Sequence, residues 1–198
     1  MPGIFITLEG GEGSGKTTII NAIDNHFKEM GYNTVTTREP GGVDIAEQIR
    51  SVILNVNNTK MCSETEALLY AAARMQHLHE KVIPALLRDD VVICDRYDSS
   101  LVYQGIARGL GIDDVLKVNC FALNYMPNLT FFIDVRPEVG LKRIEGRDKI
   151  DRLDKEAFSF HQNVYNGYKI ITIDGERPSE LVVKDIIKHI DLYLNSRR

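Results

Sequence analysis

The glycine-rich stretch of residues 9–18 carries the chemical pattern that is most specific in this sequence. It follows the P-loop pattern Gly-x-x-x-x-Gly-Lys-Thr from Gly10 to Thr17. In such a loop, backbone N–H groups and the N-terminus of the next helix converge on phosphate oxygens. Lys16 would reach the β- and γ-phosphates of a nucleotide, and the Thr17 hydroxyl would bind Mg²⁺. The predicted nucleotide-binding residues are Gly10, Gly11, Glu12, Gly13, Ser14, Gly15, Lys16, Thr17 and Thr18.

An aspartate and several arginines extend this chemistry. Asp95 ends an apolar run, which is the position from which a Walker-B aspartate holds Mg²⁺ through water. The arginines that could meet phosphate are Arg38, Arg50, Arg74, Arg96, Arg147 and Arg152. Guanidinium groups neutralise phosphate charge with paired hydrogen bonds, and that neutralisation is most of what phosphoryl transfer requires. The pattern therefore favours transfer of a phosphoryl group between two bound anions.

Short apolar runs and longer helical patterns must position these residues. The apolar runs predict strands at about 4–8, 33–37, 91–95, 129–134 and 170–173. The helical spacing of apolar residues predicts helices at about 19–30, 44–55, 64–89, 112–125, 137–146, 154–168 and 179–194. Strands that alternate with helices indicate a parallel sheet covered on both faces, in a three-layer α/β/α domain. Ligands bind such sheets at the carboxyl ends of the strands, where Arg38 and Asp95 fall. We predict one domain over residues 1–198.

The composition argues against several classes of protein. The 198 residues carry a net charge of −4, so we expect no basic surface for nucleic acid or an anionic membrane. No apolar run approaches the roughly 20 residues of a membrane helix, and the N-terminus has no signal-peptide features. Cys62, Cys94 and Cys120 are scattered along the chain, which predicts reduced, mostly buried thiols in a cytoplasmic protein.

P-loops also serve switches and motors. A GTPase switch would carry Asn-Lys-x-Asp to read guanine, but no asparagine here is followed by lysine. An ATP-driven motor usually needs a longer chain than 198 residues. A compact kinase for a small phosphorylated substrate fits best, and a regulatory module that binds ATP without turnover is the alternative from another class.

Five motifs narrow the kind of kinase. They are Phe5-x-x-x-Glu9-Gly10, Thr37-Arg38-Glu39-Pro40-Gly41-Gly42, Leu69-Tyr70-Ala71-Ala72-Ala73-Arg74, Asp95-Arg96-Tyr97 and Tyr103-Gln104-Gly105. With these motifs in this order, the chain resembles thymidylate kinases from about residue 4 to about residue 169. The resemblance implies a P-loop nucleoside-monophosphate-kinase fold with a five-stranded parallel sheet. It implies phosphorylation of dTMP to dTDP by ATP with Mg²⁺, for dTTP biosynthesis, in a homodimer packed through helices. Another nucleoside-monophosphate or deoxynucleoside kinase of this fold is the alternative.

The resemblance also assigns residues to the dTMP site. Arg38 and Arg96 would bind the dTMP phosphate, with support from Arg50. Tyr70 would stack on thymine, and Arg74, one helical turn later, would donate to a thymine carbonyl. The remaining implied contacts are Glu12 to the 3′-hydroxyl, Gln104 and Ser100 to the base edge, and Tyr103 to the 2′ position of the sugar.

A charge-dense stretch at about 145–154 corresponds to the lid of the family. Closure of a lid excludes water and brings its cations to the transferring phosphoryl group. Some members of the family carry an arginine next to the loop carboxylate, but Gly13 stands here, so the lid must supply that charge. The predicted catalytic residues are Lys16, Arg96, Arg147 and Arg152.

Each of these residues has a simpler interpretation when it is taken alone. Tyr70 could be a core aromatic, Glu12 could face solvent on the loop rim, and the lid arginines could lie in a solvated loop. No catalytic role is predicted for the five histidines. His77 and His79 are two residues apart on a helix, so they cannot chelate one metal ion.

The connection between Tyr97 and Ser99 is shorter than the family pattern, and near residues 168–170 a predicted helix runs almost directly into a strand, where about 2–6 residues are usual. We expect the protein to contain further residues at both places, which would make the adenine contacts near Gly175–Pro178 depend on them. An intact mass well above 22.4 kDa would support this expectation, and a match to that mass would contradict it.

Overall fold

The computed structural model of the chain describes residues 3–97, 104–144 and 171–197, with only the backbone described for Gln104 and Ile106. Five strands form one parallel sheet in the order β2-β3-β1-β4-β5. They are β1 (Ile4–Glu9), β2 (Thr34–Arg38), β3 (Val91–Asp95), β4 (Leu129–Asp134) and β5 (Ile171–Asp174). The predicted five-stranded parallel sheet and α/β class are confirmed.

The described helices are α1 (Lys16–Glu29), α2 (Asp44–Leu54), α3 (Ser63–His77), α4 (Ile83–Leu87), α5 (Gln104–Ala107), α6 (Ile112–Val118), α7 (Pro137–Arg143) and α8 (Ser179–Ser196). A π-helical turn, Leu78–Val82, joins α3 to α4, and a 3₁₀ turn spans Ala122–Tyr125. The helix predicted at 154–168 lies outside the described residues.

Two predicted helices are interrupted. The pattern at 64–89 continues as a helix, but it passes through the π turn just before Pro84, whose missing N–H cannot complete an ordinary α-helical turn. The pattern at 112–125 breaks at Asn119. The Asn119 side chain donates to Val115 O at 2.8 Å and accepts from Arg74, and such side-chain bonds compete with the helical backbone ladder.

The core forms on both faces of the sheet because alternate strand residues point in opposite directions. On one face, Ile6 and Ile93 pack with Ile23 of α1 and Ile186 of α8. On the other face, Phe5 belongs to a cluster with residues of β3, the π turn, α4 and the 3₁₀ turn. Its other members are Leu78, Val82, Ala85, Val92, Cys94, Tyr97 and Ala122. The result is the three-layer arrangement that the sequence predicts.

The strand order changes direction at β1, which lies between β3 and β4. In an open α/β sheet, ligands bind at the carboxyl edge beside such a change. The register pairs Asp95 with Arg38 on β2 and with Leu8 on β1, so the ends of these strands meet at one edge. The loop after Glu9 therefore begins where Arg38 and Asp95 end their strands.

The cysteines differ in part from the prediction. All three are free thiols, but only Cys94 is buried, whereas Cys62 and Cys120 are exposed at the start of α3 and after α6. Both exposed residues lie where helices begin or end, and the sequence spacing carried no information on that. Across the described ranges, none of the helices is both long enough and apolar enough to cross a membrane.

Candidate active site

The phosphate loop, residues 10–15, connects β1 directly to α1. Gly10, Gly13 and Gly15 have φ values of 146°, 70° and 89°, a region that side chains strongly disfavour. Gly13 also packs against α7, because a Cβ on it would lie 2.1 Å from the carbonyl oxygen of Gly140. The absence of a side chain at position 13 thus lets α7 close against the loop.

Lys16 is buried under this loop. Its Nζ donates to Gly10 O at 3.2 Å, to Gly11 O at 3.1 Å and to Ser14 Oγ at 3.3 Å. Burial, and then the neighbouring Arg96 cation, lower the pKa of Lys16 from 10.5 to about 8, although Asp95 and Glu12 oppose the shift. The ammonium group lies 4.0 Å from the Asp95 carboxylate, and its hydrogen bonds go to uncharged oxygen atoms of the loop, so it suits an incoming anion.

Asp95 and Thr17 supply oxygen atoms that fit a magnesium ion. Asp95 Oδ1 is buried, lies 4.0 Å from Lys16 Nζ and accepts no hydrogen bond from the described residues. Thr17 and Asp95 both line a cavity beside the phosphate loop. The described part of the chain has no cluster of three or more His, Cys, Asp or Glu side chains that could enclose a metal. Mg²⁺ usually takes one or two protein oxygens together with water and phosphate, which this pair would provide.

Arg96 has a left-handed backbone, with φ of 67°, a conformation that costs energy for any residue except glycine. Its own N–H donates to Leu8 O at 2.9 Å, and the next N–H, of Tyr97, donates to Glu9 Oε1 at 2.6 Å. Arg74 Nη2 then donates to Tyr97 O at 2.8 Å. The fold therefore holds a strained turn that presents the Arg96 side chain to the loop.

Arg96 and Glu12 form an ion pair. Arg96 Nη2 donates to Glu12 Oε1 and lies 3.5 Å from Gly10 O. Both side chains are about a quarter exposed. Glu12 therefore points towards Arg96 and not into solvent. This is the direction expected of a side chain that faces a second substrate.

Arg38, at the end of β2, and Arg50, on α2, line the same cavity as Arg96. Arg38 Nη2 donates to Glu47 at 3.0 and 3.1 Å, and Arg50 Nη1 donates to Pro40 O at 2.8 Å. Burial, followed by repulsion from Arg38, lowers the pKa of Arg50. Burial opposes ionisation of Glu47, but hydrogen bonds from Gly42 N–H and Arg38 hold its pKa below the ordinary value.

These groups surround one cavity of about 450 Å³. Its lining includes Lys16, Thr17, Asp95, Glu12, and the arginines Arg38, Arg50, Arg96 and Arg143. Arg143 was not predicted. Its Nη1 lies 3.3 Å from Gly13 O and 3.5 Å from Gly175 O, where α7, the loop and the turn after β5 meet. The sequence carried no signal for this contact, because Arg143 falls inside the predicted helix at 137–146 and reaches the loop only through the packing of α7 against Gly13.

Tyr70 and Arg74, on α3, are buried side chains. Tyr70 is 2% exposed and Arg74 is 0% exposed. Arg74 donates to Glu39 Oε2 at 3.0 Å, to Tyr97 O and to Asn119, and its guanidinium lies 5.0 Å from the centre of the Tyr97 ring. Its described partners are all protein groups, so the contact of Arg74 with thymine stays a prediction.

Other predicted site residues fall outside the described part of the chain. These are Ser100, Tyr103, Arg147 and Arg152 together with the predicted lid at 145–154, and for Gln104 only the backbone at the start of α5 is described. The short connections after Tyr97 and near residue 168 lie in the same two gaps.

Comparison with known proteins identifies the family. Residues 8–186 match the family model described as thymidylate kinase. The chain is 52% identical to a thymidylate kinase of Bacillus pumilus over 204 residues, with 96% of each chain covered. It is 51% identical to one of Clostridium novyi, with 93% of this chain and 96% of the relative covered. It is also 48% identical to one of Shouchella clausii over 210 residues, with 99% of this chain and 98% of the relative covered. With its phosphate loop and its arginine-lined cavity, the chain belongs to the thymidylate kinase family, enzymes that phosphorylate dTMP to dTDP with ATP.

Proposed function

We propose that the arginine-lined cavity is where ATP and dTMP meet, and that the phosphoryl group passes directly between them. The observation that carries this proposal is the convergence of Lys16 with Arg38, Arg50, Arg96 and Arg143 on one cavity. Phosphoryl transfer depends mainly on positioning and charge neutralisation. The acceptor is itself a phosphate oxyanion, so no residue has to remove a proton from it.

The phosphate loop holds the donor. Its backbone and the first turn of α1 bind the phosphates of ATP, and Lys16 leaves its loop carbonyls to pair with the β- and γ-phosphates. Thr17 and Asp95 would hold Mg²⁺, which would neutralise charge on the same phosphates. Arg143 supplies a cation beside Gly13, where the loop itself carries no side chain.

Arginines at the ends of β2 and β3 hold the acceptor nucleotide. Arg96 and Arg38 bind the dTMP phosphate with bidentate geometry, and Arg50 adds charge from α2. Arg96 exchanges its Glu12 partner for that phosphate, which frees Glu12 to accept a hydrogen bond from the 3′-hydroxyl. Glu12, the carboxylate in the phosphate loop, then recognises the deoxyribose.

The remaining roles complete the site. Tyr70 and Arg74 form the thymine end with Gln104 and Ser100, while Tyr103 excludes a 2′-hydroxyl. Arg147 and Arg152 close over ATP as lid cations and join Lys16 and Arg96 at the transferring phosphoryl group.

The protein works in the cytoplasm as a homodimer. Ile45 and Val52 lie seven residues apart on α2, and Leu68 lies on the neighbouring α3; their side chains are 51%, 44% and 56% exposed. These two helices pack on each other, and we expect a second copy to cover their exposed apolar side chains. Light scattering after gel filtration would give twice the chain mass, and Val52→Glu would reduce it.

A panel of acceptors tests the proposed substrate. ADP release from ATP and Mg²⁺ is measured with dTMP, dUMP, UMP, CMP or AMP, and Lys16→Ala serves as the control for contaminating kinases. We expect dTMP to give the highest kcat/KM. A better rate with another nucleotide would favour the alternative, a related nucleoside-monophosphate kinase. ATP binding without turnover of any acceptor would favour a regulatory module.

A further inference from the structure

His77 is completely buried at the end of α3 and takes part in none of the roles above. Its Nδ1 lies 2.9 Å from Glu39 Oε1, and its Nε2 lies 2.7 Å from Thr37 Oγ1. Thr37 and Glu39 are the two neighbours of Arg38 along the chain. One imidazole ring therefore links the residues on both sides of the arginine that faces the cavity.

Strand geometry explains what this link does. Successive side chains of an extended chain point to opposite sides. Because Thr37 and Glu39 both point to His77, the intervening Arg38 is directed to the other side, where it lines the cavity. The turn after β2 closes over the same ring, since a Cβ on Gly42 would lie 2.6 Å from Thr37 Oγ1 and 2.9 Å from His77 Cδ2.

The same hydrogen-bond network reaches the turn that carries Arg96. Glu39 accepts from Arg74 through Oε2 at 3.0 Å, and Arg74 donates to Tyr97 O. The Glu39 N–H donates to Asp95 O at 2.9 Å. Asp95 and Tyr97 are the two neighbours of Arg96. His77 thus contacts Glu39, whose backbone N–H bonds one flank of the strained Arg96 turn and whose carboxylate reaches the other flank through Arg74.

We propose that His77 is a positioning residue that orients Arg38, and through Glu39 the Arg96 turn, for the phosphate of the acceptor nucleotide. This inference rests on the proposed function, because it requires the two arginines to bind that phosphate. His77 itself does not touch the substrate. Its effect should therefore concern the phosphate and leave recognition of the nucleoside unchanged.

Two ligands that differ only in the phosphate provide the test. Equilibrium dissociation constants are measured for dTMP and thymidine with the parent protein, His77→Asn and Thr37→Val. Asparagine keeps an N–H near Nδ1 but loses the bond to Thr37, and valine keeps the shape of Thr37 without its hydroxyl. His79→Asn is the matched control, because His79 is exposed on the adjoining π turn.

We expect both variants to weaken dTMP about tenfold, which is the scale of a lost charge-assisted contact, and to change thymidine less than about twofold. KM for ATP should stay within about threefold of the parent value, and His79→Asn should match the parent for both ligands. Equal weakening of dTMP and thymidine, or unchanged dTMP affinity in both variants, would overturn the proposal.

An Arg38→Ala background separates this inference from the proposed function. If Thr37 and His77 act through Arg38, Thr37→Val should have little further effect on dTMP affinity in that background. Full additivity of the two changes would contradict positioning. If Arg38→Ala alone leaves dTMP affinity unchanged, the proposed phosphate site is wrong instead. Melting temperatures identify a variant that fails to fold, in which case Thr37→Val, the milder change, decides the outcome.

Discussion

Replacement of Lys16 by methionine should abolish phosphoryl transfer and at the same time stabilise the fold. The native state lowers the pKa of Lys16 from 10.5 to about 8, because burial and Arg96 disfavour the charged ammonium. At 1.36 kcal/mol for each pH unit, this difference corresponds to roughly 3 kcal/mol of destabilisation at neutral pH. Methionine keeps most of the volume without the charge. Loss of the three hydrogen bonds to the loop offsets part of the gain, so we expect a net increase of about 1 kcal/mol.

The pH dependence provides the check. Between pH 8 and 10.5 the unfolded chain binds the Lys16 proton more tightly than the folded protein, so the parent protein gains stability as the pH rises through this range. The advantage of Lys16→Met should therefore be largest below pH 8, and it should disappear or reverse near pH 10.5, where the lost hydrogen bonds are no longer offset.

The assay is urea unfolding at pH 7 and pH 10 in the absence of nucleotide. Lys188→Met is the matched control, because Lys188 is exposed on α8. The control should move the free energy of unfolding by less than about 0.5 kcal/mol at either pH. A Lys16→Met protein that is less stable than the parent at pH 7, or equally shifted at both pH values, would refute the reasoning.

Three other changes test separate parts of the site. Arg143→Ala should raise KM for ATP about tenfold with little change in KM for dTMP, because the side chain lies beside the phosphate loop. Steady-state kinetics with each substrate varied in turn measure both constants, and a change in KM for dTMP alone would contradict the prediction. Gly13→Ala should lower the free energy of unfolding by about 2 kcal/mol or more, because the new side chain is strained in a left-handed backbone and its Cβ would lie 2.1 Å from Gly140. Urea unfolding measures this, with Gly11→Ala as the control, since a Cβ there would meet nothing within 4 Å. Equal stability of the two variants would argue against the close packing. Arg152→Ala should lower kcat much more than it raises KM for dTMP, as expected for a cation that acts on the transferring phosphoryl group; an unchanged kcat would exclude that role.

The fold and one edge of the site could be predicted because they depend on local sequence. Each strand is a short β-branched or aromatic run, and parallel topology brings the ends of such runs together. That rule was sufficient to bring Arg38, Asp95 and the glycine-rich loop to one edge. The break of the helix at Asn119 could not be predicted in this way, because it depends on a hydrogen bond to Arg74, 45 residues earlier in the chain.

The direction of individual side chains was the other property that the sequence could not predict. The spacing of Tyr70 and Arg74 put them on one face of α3, but it could not show that this face is buried against Glu39 and Asn119. Arg143 reaches the loop only because Gly13 and Gly140 let two backbones approach closely, a contact between residues far apart in sequence. The spacing of His77 and His79 excludes one shared metal ion, but it carries no information on hydrogen bonds from His77 to β2.

The most direct test of the central claim is transfer of label from the γ-phosphate of ATP to dTMP, followed as labelled dTDP. The parent protein should form dTDP with Mg²⁺ present, and thymidine, which lacks the acceptor phosphate, should remain unlabelled. Lys16→Met, folded and at least as stable as the parent, should form no dTDP above background. Formation of dTDP by Lys16→Met at the parent rate, or no labelled dTDP from the parent protein, would contradict the account.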